Sequence, residues 1–350
     1  MRAPNQQHRL NMRRIGRRVA AGTLALLTAM TLGCGSGHGS SVRVTIPPHA
    51  TMRPASDSLA KAGVIHFARL FRLYASVRGG DRAIKPGTYI LHRDAGWNFV
   101  LDALRAGKGI VHIVTIPEGF SLAQIGPLLA TKLDQPLDSI EAAVRDTALL
   151  HQLDVPTPTL EGYLFPDTYI FPDKTGARAA VLAMVRRFEQ VWKPEWTARL
   201  DTLHLSRNDA ITLASIVEKE ARVPEERPVI AAVYLNRLRD GVLLQADPTV
   251  QYALGRHVAR VYYKDLTVAS PYNTYIHKGL PPGPIASPGR PSVEAALYPA
   301  KVPYEYFVAF PDGHHEFRRD LKGHEQAKLD ARKAWDSVEV ARRADTARAK

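Results

Sequence analysis

The chain has 350 residues, 45% of them hydrophobic, enough for a substantial core and more than one domain. Its 47 Lys and Arg against 34 Asp and Glu leave a net charge of +13, a balance that suits nucleic acid, anionic lipid headgroups or an acidic cell-wall polymer. No helix-turn-helix, RNA-binding aromatic signature or zinc-finger spacing is present, so nucleic acid is the weakest of these partners; a single cysteine excludes an internal disulfide, and the fold must rest on its core.

Arg9, Arg13, Arg14, Arg17 and Arg18 precede a small-residue and apolar run from Val19 to Gly33, the layout of an export signal. At about 15 residues the run is shorter than the roughly 20 that span a bilayer comfortably. Leu32-Gly33-Cys34, followed by Gly35-Ser36-Gly37, resembles a bacterial lipoprotein processing site in which Cys34 becomes the lipidated first residue. Residues 1–34 are thus expected to be either a cleaved lipoprotein signal or an uncleaved single-pass anchor, with residues 35–41 a flexible linker. Either arrangement anchors the protein at the inner membrane with the remainder facing outward.

Globular composition begins near Val42. Val44-Thr-Ile-Pro-Pro48 is echoed by Val114-Thr-Ile-Pro-Glu118, and each is followed by a helix-like stretch, Ser58 to Val64 and Ser121 to Leu133. Two copies of strand, turn and helix suggest a repeated βα unit. Between them, Ile84 to Leu91 reads as a strand, and Trp97 to Ala106 as a helix ended by Gly107. Pro117 to Ile125 resembles a LysM-like glycan-binding module or is an ordinary βα connection shaped by its proline and glycine. The expected fold is α+β: an N-terminal α/β region over 42–156, with the LysM-like subdomain at about 114–155, then a catalytic domain of helices and short strands over 157–327. Pro156-Thr-Pro158 marks the boundary.

Glu161 to Tyr169 mixes carboxylates with Tyr163, Phe165 and Tyr169 around a proline, a composition suited to sugar rings, whose C–H faces stack on aromatics while polar groups bond the hydroxyls. Ser206 and Asp209 form a capping-box pattern, and Ile211, Leu213, Ala214, Ile216, Val217 and Ala221 recur at helical spacing. Glu218 and Glu220 then fall on opposite shoulders of the apolar stripe, and periodicity does not choose between them. Arg227 to Arg239 is a second helix, closed by Asp240-Gly241. Gln245-Ala-Asp247-Pro-Thr249 and Tyr272-Asn273-Thr274-Tyr275 supply further polar candidates, and the proline- and glycine-rich run to Gly289 reads as a rigid loop framing a site. His314, His315 and His324 fit no standard metal spacing, so neither metal nor cofactor is expected. The basic tail, 328–350, reads as a terminal helix.

Several of these blocks carry a family resemblance. Glu161 to Tyr169, Ala214 to Glu220, Asn236-Arg-Leu with Leu244 to Val250, and Tyr272 to Tyr275 running on from Gly279 to Gly289 together resemble the bacterial endolytic murein transglycosylases, the YceG-like family. Pro299 to Ala309 with His315-Glu-Phe317 is a fifth, weaker block. The resemblance implies that Glu218, the first glutamate of Val-Glu-Lys-Glu, is catalytic, and that Glu161, Tyr163, Gln245, Asp247, Thr249, Asn273, Thr274 and Tyr275 line the substrate cleft. It further implies cleavage of nascent peptidoglycan strands beside peptidoglycan synthases such as penicillin-binding proteins.

Such an enzyme needs one strong acid/base. An ordinary glycosidase sets two carboxylates across the bond; here the C6 hydroxyl of the muramic acid attacks its own anomeric carbon, with the advantage of proximity. Glu218 protonates the leaving oxygen and then takes the hydroxyl proton, and burial beside Val217 and Ala221 is expected to favour its protonated form. The product is a 1,6-anhydro-muramoyl end. The rivals are a hydrolase, in which Asp247 or Glu161 activates water, and a non-catalytic glycan-binding lipoprotein.

Overall fold

The computed structural model describes residues 39–79, 84–255 and 261–348, with side chains to residue 342. The export signal, Cys34 and most of the linker lie outside these residues. Among the described residues no helix is long and apolar enough to cross a membrane. The chain is α+β, and its contacts divide it into two units, one running through His112 with Ile170–Asp173, the other comprising Ile113–Tyr169 with Lys174 onward. The boundary expected at residue 156 lies inside the second unit, which also holds residues 114–155.

In the first unit the order is β1 (Ser41–Ile46), α1 (Met52–Lys61), α2 (Ala68–Val77), β2 (Gly87–His92), α3 (Trp97–Ala106) and the start of β3 (Ile110–Thr115). β1 pairs antiparallel with β2 from Ser41↔His92 to Ile46↔Gly87, and β2 with the start of β3 at Thr88↔Val111. Alternation sends Val44, Ile46, Tyr89 and Leu91 into a core shared with Leu59, Phe71, Val100 and Leu104. The helix after β1 begins at Met52 instead of Ser58: Pro54 sits in its first turn, where a missing N–H breaks no helical bond. α3 ends as expected, with Gly107 in the left-handed region at φ 75°.

In the second unit β3 leads to α4 (Leu122–Leu133), α5 (Leu137–Ala143), α6 (Thr147–Gln152) and the start of β4 (Thr168–Pro172), whose remainder from Ile170 belongs to the first. The Ile116 N–H donates to the Asp167 carbonyl at 2.9 Å where the two strands meet. Then follow α7 (Ala177–Val191), α8 (Pro194–Leu203), α9 (Arg207–Glu220), α10 (Arg227–Arg239), α11 (Asp247–Ala253), α12 (Arg290–Leu297), the hairpin β5 (Tyr306–Ala309) and β6 (His315–Arg318), and α13 (Leu321–Arg348). The terminal helix therefore starts several residues before the expected position.

α9 is the axis of this unit. Its capping box is formed: Ser206 Oγ accepts the Asp209 N–H at 3.0 Å, and the Asp209 carboxylate accepts the Ser206 N–H at 2.9 Å. From Ala210 to Val217 every residue is buried, Thr212 and Ser215 included. The expected one-sided stripe is thus an enclosed helix, because α8, α10, α11 and α12 all pack on it. Of its two inward hydroxyl residues, Ser215 Oγ donates to the Thr212 carbonyl at 2.7 Å and accepts the Ile285 N–H at 3.0 Å, whereas the Thr212 hydroxyl is buried without a partner among the described residues. Burying each large side chain of this core contributes about 1.5–3 kcal/mol, which holds the last turn of α9 rigidly where it emerges.

Candidate active site

Glu218 lies on that last turn with its side chain 7% exposed. Its Oε2 accepts the Gly289 N–H at 3.0 Å and the Ser292 hydroxyl at 2.7 Å, at the amino end of α12. Arg227 Nη2 stands 3.8 Å from Oε1, and Arg227 Nε donates to Ser292 Oγ at 3.1 Å. Positive helix end, guanidinium and two donors all suit a carboxylate. The expected apolar surround beside Val217 and Ala221 is therefore corrected: Glu218 points away from the core that buries Val217 and into a ring of donors.

A second carboxyl arrives from far away in sequence. The loop after β3 is fastened to the segment before α12 by two backbone bonds, Gly119 N–H to the Ser287 carbonyl at 2.9 Å and Ser287 N–H to the Phe120 carbonyl at 2.8 Å. Lys219 Nζ donates to the Gly119 carbonyl at 3.3 Å. This places the Glu118 carboxylate directly on Gly289, where an added Cβ would lie 2.0 Å from Glu118 Oε1. A side chain at 289 would have to displace the Glu118 carboxylate from this position. Burial, and then the charge of Glu218, push the Glu118 carboxyl above its usual range, with Arg227 opposing. Glu118, Arg227 and Ser292 were not among the residues singled out from the sequence.

Gly119 and Lys219, the chain neighbours of these two glutamates, line a cleft of about 760 Å3 with Leu122, Glu161, Pro248, Gln251 and Tyr252. Its size and mixed lining suit a small organic ligand or a glycan segment. Glu161 is held in its wall: both carboxylate oxygens accept the Leu122 N–H, at 3.0 and 3.1 Å, and Tyr252 donates to Oε2 at 3.3 Å. It thereby satisfies the first turn of α4, and burial pushes its carboxyl up to about 7.

The remaining candidates divide in two. Gln245 and Asp247 are exposed; Gln245 accepts from Arg237 at 2.7 Å, and Asp247 accepts the Tyr275 hydroxyl at 2.6 Å. Near them Glu220 accepts the Tyr234 hydroxyl at 2.9 Å, and burial pushes its carboxyl up to about 7. Thr249, Asn273, Thr274 and Tyr163 face inward and are corrected from cleft lining to internal fastening. The Thr249 and Thr274 hydroxyls meet at 2.9 Å; Asn273 Nδ2 donates to the Leu266 and Val268 carbonyls, each at 2.9 Å; and the Tyr163 hydroxyl donates to Asn208 at 3.2 Å. The polar composition that marks these residues in the sequence is the same whether a side chain bonds a ligand or a neighbouring loop. His315 likewise serves the fold, its Nδ1 2.6 Å from Glu226 Oε2.

An α+β chain with one carboxyl, Glu161, in a cleft wall and another, Glu218, next in the chain to the cleft-lining Lys219 has the constitution of an acid–base enzyme. Residues 44–330 match the YceG-like family, and the chain belongs to that family. A protein of Bacillus subtilis (strain 168) named endolytic murein transglycosylase is 34% identical over 308 residues, covering 83% of this chain and 84% of that one. One of the same name from Streptococcus pneumoniae serotype 2 (strain D39) is 28% identical over 327 residues, 82% of this chain but 59% of the relative's length. A crystal structure of a YceG-like protein from Listeria monocytogenes aligns with a TM-score of 0.57 at 32% identity, covering 82% of this chain and 99% of that one.

Proposed function

We propose that this protein is a lytic transglycosylase that cleaves the MurNAc–GlcNAc bond within nascent peptidoglycan strands and leaves 1,6-anhydro-muramoyl ends. The observation that carries the reading is the Glu218 carboxyl, next in the chain to the cleft-lining Lys219 and fixed by Gly289, Ser292 and Arg227, in a chain whose curated relatives bear the name endolytic murein transglycosylase. Glu218 gives a proton to the glycosidic oxygen as the C1–O bond breaks; the C6 hydroxyl of the same muramic acid bonds to C1 and returns its proton to Glu218. No water is consumed. The donors around Glu218 match the carboxylate that receives this second proton.

A LysM-like glycan-binding role for residues 114–155, which hold the end of β3 and the helices α4, α5 and α6, is part of the same proposal, beside a catalytic domain over 157–327. The basic leader supports anchoring at the inner membrane, through Cys34 or a single span, with the catalytic domain facing outward near peptidoglycan synthases. A hydrolase that uses Glu161 is disfavoured because that carboxyl is buried and bonded by Leu122 and Tyr252.

The test is mass spectrometry of products from un-crosslinked glycan strands incubated with the full chain and with Glu218→Gln. Anhydro ends that vanish in the variant are the expected result. Reducing ends would move the reaction to hydrolysis, and intact strands with retained binding would make the protein a glycan-binding one.

A further inference from the structure

We infer that the outward face of α2, in the first unit, lies on the anionic lipid surface of the membrane to which the leader ties the chain. The inner face of this helix is fully used, since Phe71 and Ala75 are buried in the core of the unit. A helix packed in that way ordinarily turns polar residues to water. α2 instead turns out Leu70, Leu73 and Val77, which are 47%, 63% and 80% exposed, and Phe67 just before it is 54% exposed. At about 3.6 residues per turn the three helical positions fall within about 60° of one another and form one stripe. Six large apolar side chains are exposed among the described residues of the first unit, and these are four of them, the others being Phe99 and Ile170. Single exposed apolar residues are ordinary, but a stripe of them marks a surface that something covers.

Charge at the margins and the place where the chain enters point to lipid. α2 carries no acidic residue. Arg69 lies about 40° round the helix from Leu73, and Arg78 follows the last turn with its guanidinium 5.6 Å from the Tyr74 ring. Arg72 is spent on Asp57 at 2.9 Å. Apolar side chains edged by arginines suit a helix lying in an anionic headgroup layer, whereas a second copy seated on the stripe by two-fold symmetry would set these arginines against their own counterparts. The Arg93 N–H donates to the Ser40 carbonyl at 3.1 Å, the Asp94 N–H to the Gly63 carbonyl at 3.1 Å, and Asp94 Oδ1 stands 2.6 Å from His66 Nε2. One turn, Arg93–Asp94, thus joins the start of β1 to the residue before Phe67. Residues 34–40 alone separate the apolar run ending at Gly33 from Ser41, a reach of at most about 25 Å. The tether bears on the docking only through the anchoring proposed above, and cleavage plays no part in it.

The test places the photo-crosslinking residue p-benzoylphenylalanine in the full chain, in place of Leu73 or, as a control, of Thr45. Thr45 is exposed on the face of β1 opposite Val44 and Ile46, so neither replacement touches the core. Each chain is mixed with vesicles of phosphatidylcholine and phosphatidylglycerol, floated to show that it is on the membrane, irradiated, and its peptides read by mass spectrometry. Lipid adducts at 73 are expected at about ten times the yield at 45, falling at least about threefold when phosphatidylglycerol is left out or when Arg69→Gln and Arg78→Gln are added. A floating chain with no more lipid on 73 than on 45 overturns the docking and leaves the anchoring standing. Adducts at 73 to a second copy of the chain, in place of lipid, overturn it in favour of self-association. A chain that does not float sinks the anchoring and the docking together.

Discussion

Two glutamates two residues apart on α9 meet opposite surroundings. On one side Glu218 is ringed by donors and an arginine and faces a second carboxyl. On the other, half-buried Glu220 has one tyrosine as its hydrogen-bond donor, and desolvation pushes its carboxyl up to about 7. By perturbation alone Glu220 would be the acid. The difference teaches that a raised carboxyl marks burial as readily as chemistry, and that proton traffic needs a partner able to take up the charge that is left.

The largest break in this comparison is a pair of activity measurements. Glu218→Gln is expected to lower glycan cleavage by about a thousandfold or more, roughly 4 kcal/mol of barrier, while Glu220→Gln stays within about tenfold; the reverse pattern would transfer the acid role to Glu220. Next comes Gly289→Ala. Its Cβ would sit 2.0 Å from Glu118 Oε1, but that atom ends a flexible side chain that can swing aside. Cleavage is expected to drop about 10- to 100-fold while the melting temperature moves little, by under about 1 kcal/mol of stability.

The third sharpening concerns stability against pH. Burial raises Glu161 and Glu220 from 4.5 to about 7 in the folded chain, so the folded state holds protons that the unfolded chain releases. Their contribution is full below pH 4.5 and is lost as pH rises toward 7. Glu220→Gln is expected to remove on the order of 1–3 kcal/mol of that fall, read as a smaller difference between denaturant melts at pH 5 and pH 8. Smallest is Tyr275→Phe, which deletes the bond to Asp247: a stability loss of about 1 kcal/mol or less and cleavage within about threefold are expected. A larger fall in cleavage would bring that side of α9 into the reaction.

Local signals were legible in the sequence wherever backbone chemistry is local. Ser206 and Asp209 cap α9, Gly107 ends α3, and Val-Glu-Lys-Glu marks the turn that carries Glu218. What escaped was long-range. Glu118 reads as a turn former between Pro117 and Gly119, and its one distinguishing mark is that the earlier copy of the Val-Thr-Ile-Pro pattern has Pro48 at the same place. Arg227 reads as the first residue of a helix, and Ser292 as a small residue after a proline. Conversely, Asn273, Thr274, Thr249 and Tyr163 look like cleft residues by composition, although their polar atoms are spent on neighbouring loops and side chains. Side-chain direction in a loop without periodicity depends on what packs against it, which a pattern of residue types does not record.

The two backbone bonds between the Gly119–Phe120 loop and Ser287 join segments about 170 residues apart in the chain. Closing a loop of that size comes late in folding, after the local helices have formed. A chain whose synthesis stops short of residue 289 has α9 and Glu218 but neither Gly289 nor Ser292 to receive them. Glu218 thus meets its two donors only once nearly the whole polypeptide is present, although the helix that carries it is complete some seventy residues earlier.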